Sequence, residues 1–413
     1  MIDELETSAS PATHDLAWLI HPVPVEMFLR EHWERRHFLV RRQRPEYFDE
    51  LMTLARFDAL LTTTSVTSSQ VRVVRDGRVV ALDQIVPTGW RARAGALEAL
   101  LEHYRGGASI VVQGLDERDR ALQRLCQALA TELSASLQVN VYLTPAGARG
   151  LGEHYDTHDV FVVQVEGAKR WRVRPGPIAL PCEHQPPCGA LAASEPIDEF
   201  VLRRGDVLYV PRGLVHEVIA EDGPSLHLTI GVHPLTWAHL IRAAVDDLFA
   251  RDARFREGLP PGFTRAPATR ERAAARLDEL LVALGEGLDR GVMLEDAAEA
   301  VLRARPPTLD GHLLDLRDLD AITLDTRLRR RDRSAWQVHR DGERVRLRLF
   351  SRQIEMPGWL EDELRFMGAV DGFTLAEMPT ELDEAGRLVL ARQLLTEGAL
   401  TIDRRPLPSA APA

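Results

Sequence analysis

The sequence predicts a mixed α and β protein centred on a barrel or sandwich of short strands, and three observations carry that prediction. Residues 138 to 234 hold short apolar or alternating runs divided by turns at Pro145-Ala-Gly147, Glu166-Gly167 and Arg204-Gly205, the spacing of an all-β barrel or sandwich. Apolar residues at three- and four-residue steps precede that stretch and resume after Pro234, which is helical periodicity. From about residue 306, strand and helix signals mix.

Taken in order, residues 19 to 60 read as helical and amphipathic, with Phe28 to Trp33 and Phe48 to Leu61 supplying the apolar steps. Val71 to Val80 alternates around Asp76-Gly77 and reads as a hairpin. A helix fits Arg118 to Leu137, and strands fill 138 to 234. Leu235 to Ala250 and Ala268 to Leu288 are helical in spacing, with a break at Pro260-Pro261-Gly262. Val345-Arg-Leu-Arg-Leu-Phe350 alternates as a strand, and Glu361 to Met367 and Glu384 to Leu395 read as helices. Between them Phe373-Thr-Leu-Ala-Glu377 opens a short helix with Thr374 as its cap.

Composition narrows the class. A chain of 413 residues can bury a large core and should divide into two or three domains. Its 45% hydrophobic and 27% charged residues are ordinary for a globular protein. Met1 to Trp18 lacks a basic segment followed by an apolar core, so no secretory leader is expected. No apolar run approaches the roughly 18 residues that span a bilayer, so no membrane is expected. Three cysteines, Cys126, Cys182 and Cys188, argue for a reducing cytoplasm over a disulfide scaffold. Cys182, His184 and Cys188 sit among prolines and read as an irregular loop, not a zinc clip. A net charge of −11 disfavours direct nucleic-acid binding. The same charge suits a basic protein partner, or serves solubility alone.

Lys169 is the single lysine; every other member of the 51 basic side chains is arginine. A composition that replaces lysine this thoroughly invites a site explanation for the exception, although one lysine could fall anywhere. An ammonium is a compact point charge, a guanidinium a broad fork, so a narrow pocket for one carboxylate admits the first. The neighbours favour a site. His154-Tyr155-Asp156 lies shortly upstream, and Gly205-Asp-Val-Leu-Tyr-Val-Pro-Arg-Gly-Leu-Val-His216 follows. His-x-Asp alone is common in surface loops, but with a later single histidine it has the spacing of a two-histidine, one-carboxylate facial triad. On a strand His154 and Asp156 share one side, with Tyr155 turned away. The third ligand, His216, would then come from a loop or strand on the opposite wall. His158 shares the parity of the pair and reads as a residue of the pocket mouth.

Asn140-Val-Tyr142-Leu-Thr-Pro, His154-Tyr-Asp156, Gln-Val-Glu-Gly-Ala-Lys169-Arg-Trp and Gly205-Asp-Val-Leu-Tyr-Val-Pro-Arg-Gly-x-x-His216 together resemble the cupin-type Jumonji-C ribosomal oxygenases. The resemblance implies a double-stranded β-helix core within a mixed α and β chain. Its domains would be a catalytic region at 1–234 with an N-terminal extension, a helical segment at 235–305, a winged-helix-like domain at 306–405 and a disordered tail at 406–413. It implies that His154, Asp156 and His216 hold Fe(II). Lys169 would pair with the distal carboxylate of 2-oxoglutarate, and Asn140, Tyr142 and Thr229 would line the same pocket. O2 would complete the reaction, hydroxylation of a histidine or arginine in a ribosomal protein. Some bacterial members carry arginine at the position of Lys169, which places this sequence nearer the histidine-hydroxylating branch. The helical segment would form a homodimer, or simply pack on the barrel, and the C-terminal domain would serve protein interaction or assembly. Two alternatives stay open: the same chemistry on a small molecule or peptide natural product, and a cupin that binds metal without turnover.

Overall fold

The computed structural model describes residues 14–63, 70–80, 92–185, 195–304, 309–331, 336–349 and 352–404. The tail expected at 406–413 and Cys188 lie outside them. Chain contacts divide the protein into two compact units, Met1–Thr236 and Trp237–Ala413.

The first unit begins with α1 (Leu16–Ile20), α2 (Val25–Glu31), β1 (Phe38–Val40) and α3 (Leu54–Thr63). The hairpin β2 (Val71–Arg75) and β3 (Arg78–Val80) follows, then α4 (Ala92–Arg105), β4 (Ser109–Val112) and α5 (Arg120–Leu133). The barrel strands are β5 (Ala135–Thr144), β6 (Asp159–Glu166), β7 (Ala168–Arg174) and β8 (Asp198–Arg203). They continue with β9 (Val207–Val210), β10 (Val215–Ala220) and β11 (Ser225–Pro234). An eight-stranded sheet runs β1-β9-β6-β11-β5-β4-β2-β3, and a smaller one runs β10-β7-β8, with antiparallel pairing throughout. This is the cupin barrel expected from the motifs, with the N-terminal extension lengthening its larger sheet.

Alternation along the strands separates two cores. Val160, Val162, Leu208 and Val210 of the large sheet meet Trp171, Val173, Phe200 and Leu202 of the small one inside the barrel. Phe161, Val163, Val139 and Val141 project from the other face and pack with residues of the helices, among them Leu19, Phe28 and Leu129. Strand β6 is therefore buried along nearly its whole length, which explains its continuous apolar run Val-Phe-Val-Val. Gly167 shows how tightly the barrel turns are drawn: its φ is 67°, and a Cβ there would meet the Pro224 carbonyl oxygen at 2.1 Å.

Two expectations are corrected. The helix predicted to Leu137 ends at Leu133, because Ser134 adopts a left-handed φ of 49° and Ala135 onward pairs with β11. It starts at Arg120, two residues later than expected, where the Asp119 carboxylate accepts from Ala121 and Leu122 N–H groups at 2.9 and 3.1 Å. Within the stretch read as helical from 19 to 60, Phe38–Val40 is a strand paired with Val207 to Tyr209. Local periodicity cannot reveal a partner so distant in sequence. The Val71–Val80 hairpin forms as read, with Asp76 and Gly77 both at positive φ.

The second unit opens with α6 (Trp237–Arg251), α7 (Pro267–Gly287), α8 (Arg290–Arg303) and α9 (His312–Arg317). Next come β12 (Arg327–Arg330) and the meander β13 (Gln337–Asp341), β14 (Arg344–Leu349) and β15 (Arg352–Pro357). It closes with α10 (Glu361–Ala369), β16 (Phe373–Thr374), α11 (Glu384–Thr396) and β17 (Leu400–Ile402). Leu328, Leu347, Leu364, Phe373 and Leu394 belong to its core. Thr374 caps a short turn of helix, its N–H donating to the Glu377 carboxylate at 2.7 Å, as its sequence suggests.

Phe161 is fully buried, with ring centroids 5.6 Å from Phe28 and 5.0 Å from Tyr209. Phe161→Ala is expected to cost about 3–5 kcal/mol, the range for truncating a core aromatic. A urea titration should show the lowered midpoint.

Candidate metal centre

The barrel encloses a cavity of about 570 Å³. His154, Asp156 and His216 stand on its wall, and one ligand atom from each lies within 4.8 Å of the others. His154 reaches this place on a segment that adds to the edge of β10: its N–H donates to the His216 carbonyl at 3.3 Å, and the His216 N–H returns to the His154 carbonyl at 2.8 Å. The two histidines are therefore neighbours on one wall, not on opposite walls as the sequence suggested. Direct backbone pairing of two distant segments puts them there, and pairing of that kind leaves no local signature. Asp156 follows outside regular strand structure, with its carboxylate 3.9 Å from His154 Nε2 and 3.7 Å from His216 Nε2. Tyr155 sends its hydroxyl to the Gln185 carbonyl at 3.0 Å.

Both imidazoles are oriented by their outer nitrogens. Nδ1 of His154 donates to the Gly152 carbonyl at 2.8 Å, and Nδ1 of His216 to the Leu214 carbonyl at 3.2 Å. That choice of tautomer leaves each Nε2 lone pair free for a metal. Burial, reinforced by His154, pushes His216 down to about 4, so it is neutral at physiological pH. Burial works to raise the Asp156 carboxyl, but His216, His154, His158 and His233 around it hold it below its ordinary value. Two neutral imidazoles and one carboxylate are the donor set of a non-haem iron site.

Lys169 lies deeper in the same cavity, on β7, and is almost fully buried. Its Nζ donates to the Thr144 hydroxyl at 2.8 Å, and that oxygen also accepts from Ser109 at 3.2 Å. Among the described residues no carboxylate pairs with it. Burial alone lowers its pKa to about 7. A buried amine without a counter-charge is a receptor for an anion. Asn140, Tyr142 and Thr229 all line the cavity, as expected from the motifs. Asn140 accepts the Gly114 N–H at 3.2 Å.

Four further residues of the site escaped the sequence reading. Thr144 anchors Lys169. His227 stacks on Tyr142 with centroids 4.7 Å apart, and burial, then Lys169, keeps it neutral. Its Nδ1 and the Trp171 indole nitrogen are buried with no hydrogen-bond partner. Arg72, on the hairpin, reaches the cavity without an ion-pair partner among the described residues. His227 could have been found from the alternation of β11, which turns it and Thr229 to one face; Arg72 could not. His158 lines the cavity as its parity suggested, stacked on His233 with centroids 4.5 Å apart.

Barrel, cavity and cluster point to a class, and comparison with known proteins agrees: residues 111–240 match the JmjC domain family. Its similarity to ribosomal oxygenases follows from individual relatives. Ribosomal oxygenase 1 of Homo sapiens is 32% identical over 278 residues, 63% of this chain and 42% of that protein. The bifunctional lysine-specific demethylase and histidyl-hydroxylase of Drosophila persimilis is 33% identical over 264 residues, 62% and 37% of the two chains. The chain thus spans less than half of these curated relatives' length. Ribosomal oxygenase YcfD of Escherichia coli superposes with a TM-score of 0.51 at 19% identity, over 92% of this chain and 98% of that one. The structure of YcfD in complex with cobalt and 2-oxoglutarate gives 0.50 at 18% identity, over 92% and 99%. At such identities the likeness establishes a shared fold.

The lowered Lys169 pKa sets a pH dependence. A bound carboxylate stabilises the ammonium and raises its pKa above the free value of about 7. Affinity for a small dicarboxylate such as succinate is therefore full below that pH and should fall as pH rises above it, by up to ~10-fold per unit. Calorimetry at pH 8 in buffers of different ionisation enthalpy should detect proton uptake on binding, and Lys169→Ala should abolish it.

Proposed function

We propose that this protein is an Fe(II)- and 2-oxoglutarate-dependent oxygenase that hydroxylates a histidine side chain of a ribosomal protein. One observation carries the reading: a two-histidine, one-carboxylate cluster shares a cavity with a buried amine that has no counter-charge among the described residues. His154, Asp156 and His216 would hold the iron, and Lys169 would take the distal carboxylate of 2-oxoglutarate through a charge-assisted hydrogen bond. Asn140, Tyr142 and Thr229 would line the path between them. Bound there with 2-oxoglutarate and O2, Fe(II) supplies oxidative decarboxylation coupled to hydroxylation of an unactivated C–H bond.

The chain's own residues orient and exclude. Lys169 fixes the distal end of the co-substrate, and its burial excludes water from that end. Trp171, Val160 and Val162 present apolar walls, and His227 adds a neutral one. Burial, then the Asp156 charge, raises the Tyr142 phenol, so its hydroxyl stays protonated and able to donate.

Histidine is favoured over arginine by the charges of the cavity. Asp156 is the sole carboxylate among its lining residues, whereas Arg72 and Lys169 are cations. A substrate guanidinium would meet repulsion, because the one carboxylate among the described lining residues, Asp156, would be committed to the metal, while an imidazole can bond to Gln113, Gln138 or Asn140, which also line it. The name of the Drosophila relative, which includes histidyl-hydroxylase, points the same way. A basic ribosomal protein suits a chain of net charge −11.

The second unit supports a homodimer. Helices α6 to α8 leave Trp237, Ile241, Leu277, Leu281, Val282 and Val292 exposed, and α8 buries no residue; a second copy would cover such a surface. Residues 306–405 would form the winged-helix-like assembly module. Direct nucleic-acid binding is not expected of it, since Arg344, Arg346 and Arg348 pair with Glu355, Asp341 and Glu299. A cytoplasmic enzyme is the natural setting, and no described helix is long and apolar enough to cross a membrane.

Anaerobic Fe(II) with 2-oxoglutarate should give a visible charge-transfer band that His216→Ala abolishes. Lys169→Ala should need about 30-fold or more co-substrate, the cost of removing one partner of a buried charge pair. A band that survives His216→Ala would refute the metal assignment. Mass spectrometry of ribosomal-protein peptides should then show one added oxygen on histidine and none on arginine. Turnover confined to small molecules would favour the natural-product alternative.

A further inference from the structure

The β2–β3 hairpin lies outside residues 111–240, the stretch that matches the JmjC domain, yet its tip rests on the segment that carries His154. Asp76 and Gly77 form the tip, with φ of 49° and 78°, the left-handed pair of a tight hairpin turn. Gly77 bridges Leu151, and its carbonyl accepts the Gly152 N–H at 3.3 Å. The carbonyl of Gly152 is the acceptor that orients His154, through Nδ1 at 2.8 Å.

The opposite edge of this segment is held by β10. Gly150 N–H donates to the Val218 carbonyl at 3.2 Å, and His154 exchanges bonds with His216. Between those two anchors the Gly152 N–H turns to the hairpin. Gly152 is therefore fixed at its N–H by Gly77 and at its carbonyl by His154. The approach is tight: a Cβ on Gly77 would stand 3.2 Å from Gly152 N and 3.4 Å from its Cα, so the Gly152 backbone would have to give way. The same hairpin places Arg72 opposite Val111, which in turn lies opposite Tyr142, so Arg72 shares the cavity-facing row of the large sheet.

We propose that the β2–β3 hairpin is a working part of the metal centre, with Gly77 as a positioning residue that sets the tautomer and ring orientation of His154 through Gly152. This rests on the reading of His154, Asp156 and His216 as metal ligands. The Gly152 carbonyl holds the proton on Nδ1 of His154, which keeps Nε2 available as a donor. Outer partners of this kind change metal affinity about 10–100-fold when lost. The catalytic unit on this view begins before the matched domain, at Val71.

The test uses the full chain with Co(II) alone as the probe, read by its visible absorption. Gly77→Asn keeps a residue type that tolerates the left-handed conformation but sets a Cβ against Gly152. Gly342→Asn is the matched control, at φ 57° in another hairpin with nothing within 4 Å of its Cβ position. Gly77→Asn should weaken Co(II) about 10–100-fold and alter the band shape, while Gly342→Asn leaves both unchanged. In the wild type, Co(II) should slow hydrogen exchange at Gly152 and along β2 and β3, a measurement that stands even if Gly77→Asn fails to fold. Equal Co(II) affinity in Gly77→Asn and wild type, or exchange in the hairpin that ignores Co(II), overturns the proposal. Co(II) binding that His216→Ala leaves intact would overturn the metal reading itself, and this inference with it.

Discussion

Burial of the Lys169 amine is the constraint around which the cavity is organised. An ammonium removed from water needs compensation, and among the described residues the interior supplies one hydroxyl, Thr144. The surroundings offer it no anion: His227 is held uncharged, and the carboxylate on the described cavity wall, Asp156, is engaged with two histidines. The result is a folded state that holds a cation in reserve. Its lowered pKa measures the penalty, and an incoming anion relieves it. In a chain that otherwise uses arginine, the compact head and thin stem of lysine are what permit this depth of burial.

Keeping such a site dry and rigid falls to the large sheet, which is covered on both faces. Inside, Val160, Val162, Leu208 and Val210 meet the small sheet; outside, Phe161 and Val163 meet the N-terminal helices. The helices are thus more than an appendage, since they complete the second core that stiffens β6 and β11. Charge is handled with equal economy. Asp159, wholly buried, accepts from the Arg212 backbone at 3.0 Å and its guanidinium at 2.6 Å, which ties the start of β6 to the turn that leads into β10. The turn before the strand that bears His216 is thereby tied to the start of the strand that follows Asp156.

His154 and His216 illustrate how backbone pairing can do the work of side-chain selection. His154 and His216 are brought together by two main-chain hydrogen bonds, before any metal is considered. Each ring is then aimed by a carbonyl two residues earlier in its own chain, Gly152 and Leu214. Local backbone geometry supplies the orientation, and tertiary pairing supplies the proximity. Ion pairs strengthen the same segment, with Arg174 on Glu153 and Arg149 on Glu217.

The sequence by itself determined the candidate residues: His154, Asp156, His216 and Lys169 stood out by type, spacing and rarity. It also determined the strand-rich region, the hairpin at Asp76-Gly77 and the flanking helices, because periodicity and turn residues are local properties. Only the tertiary structure decided that His154 and His216 share one wall, that Phe38–Val40 is a strand, and that Ser134 ends α5 early. Only it showed Thr144 beneath Lys169, His227 stacked on Tyr142, and Arg72 and Gly77 brought to the site from a distant hairpin. Those facts depend on pairing between segments far apart in the chain. The pairing free energy belongs to contacts that no window of neighbouring residues contains.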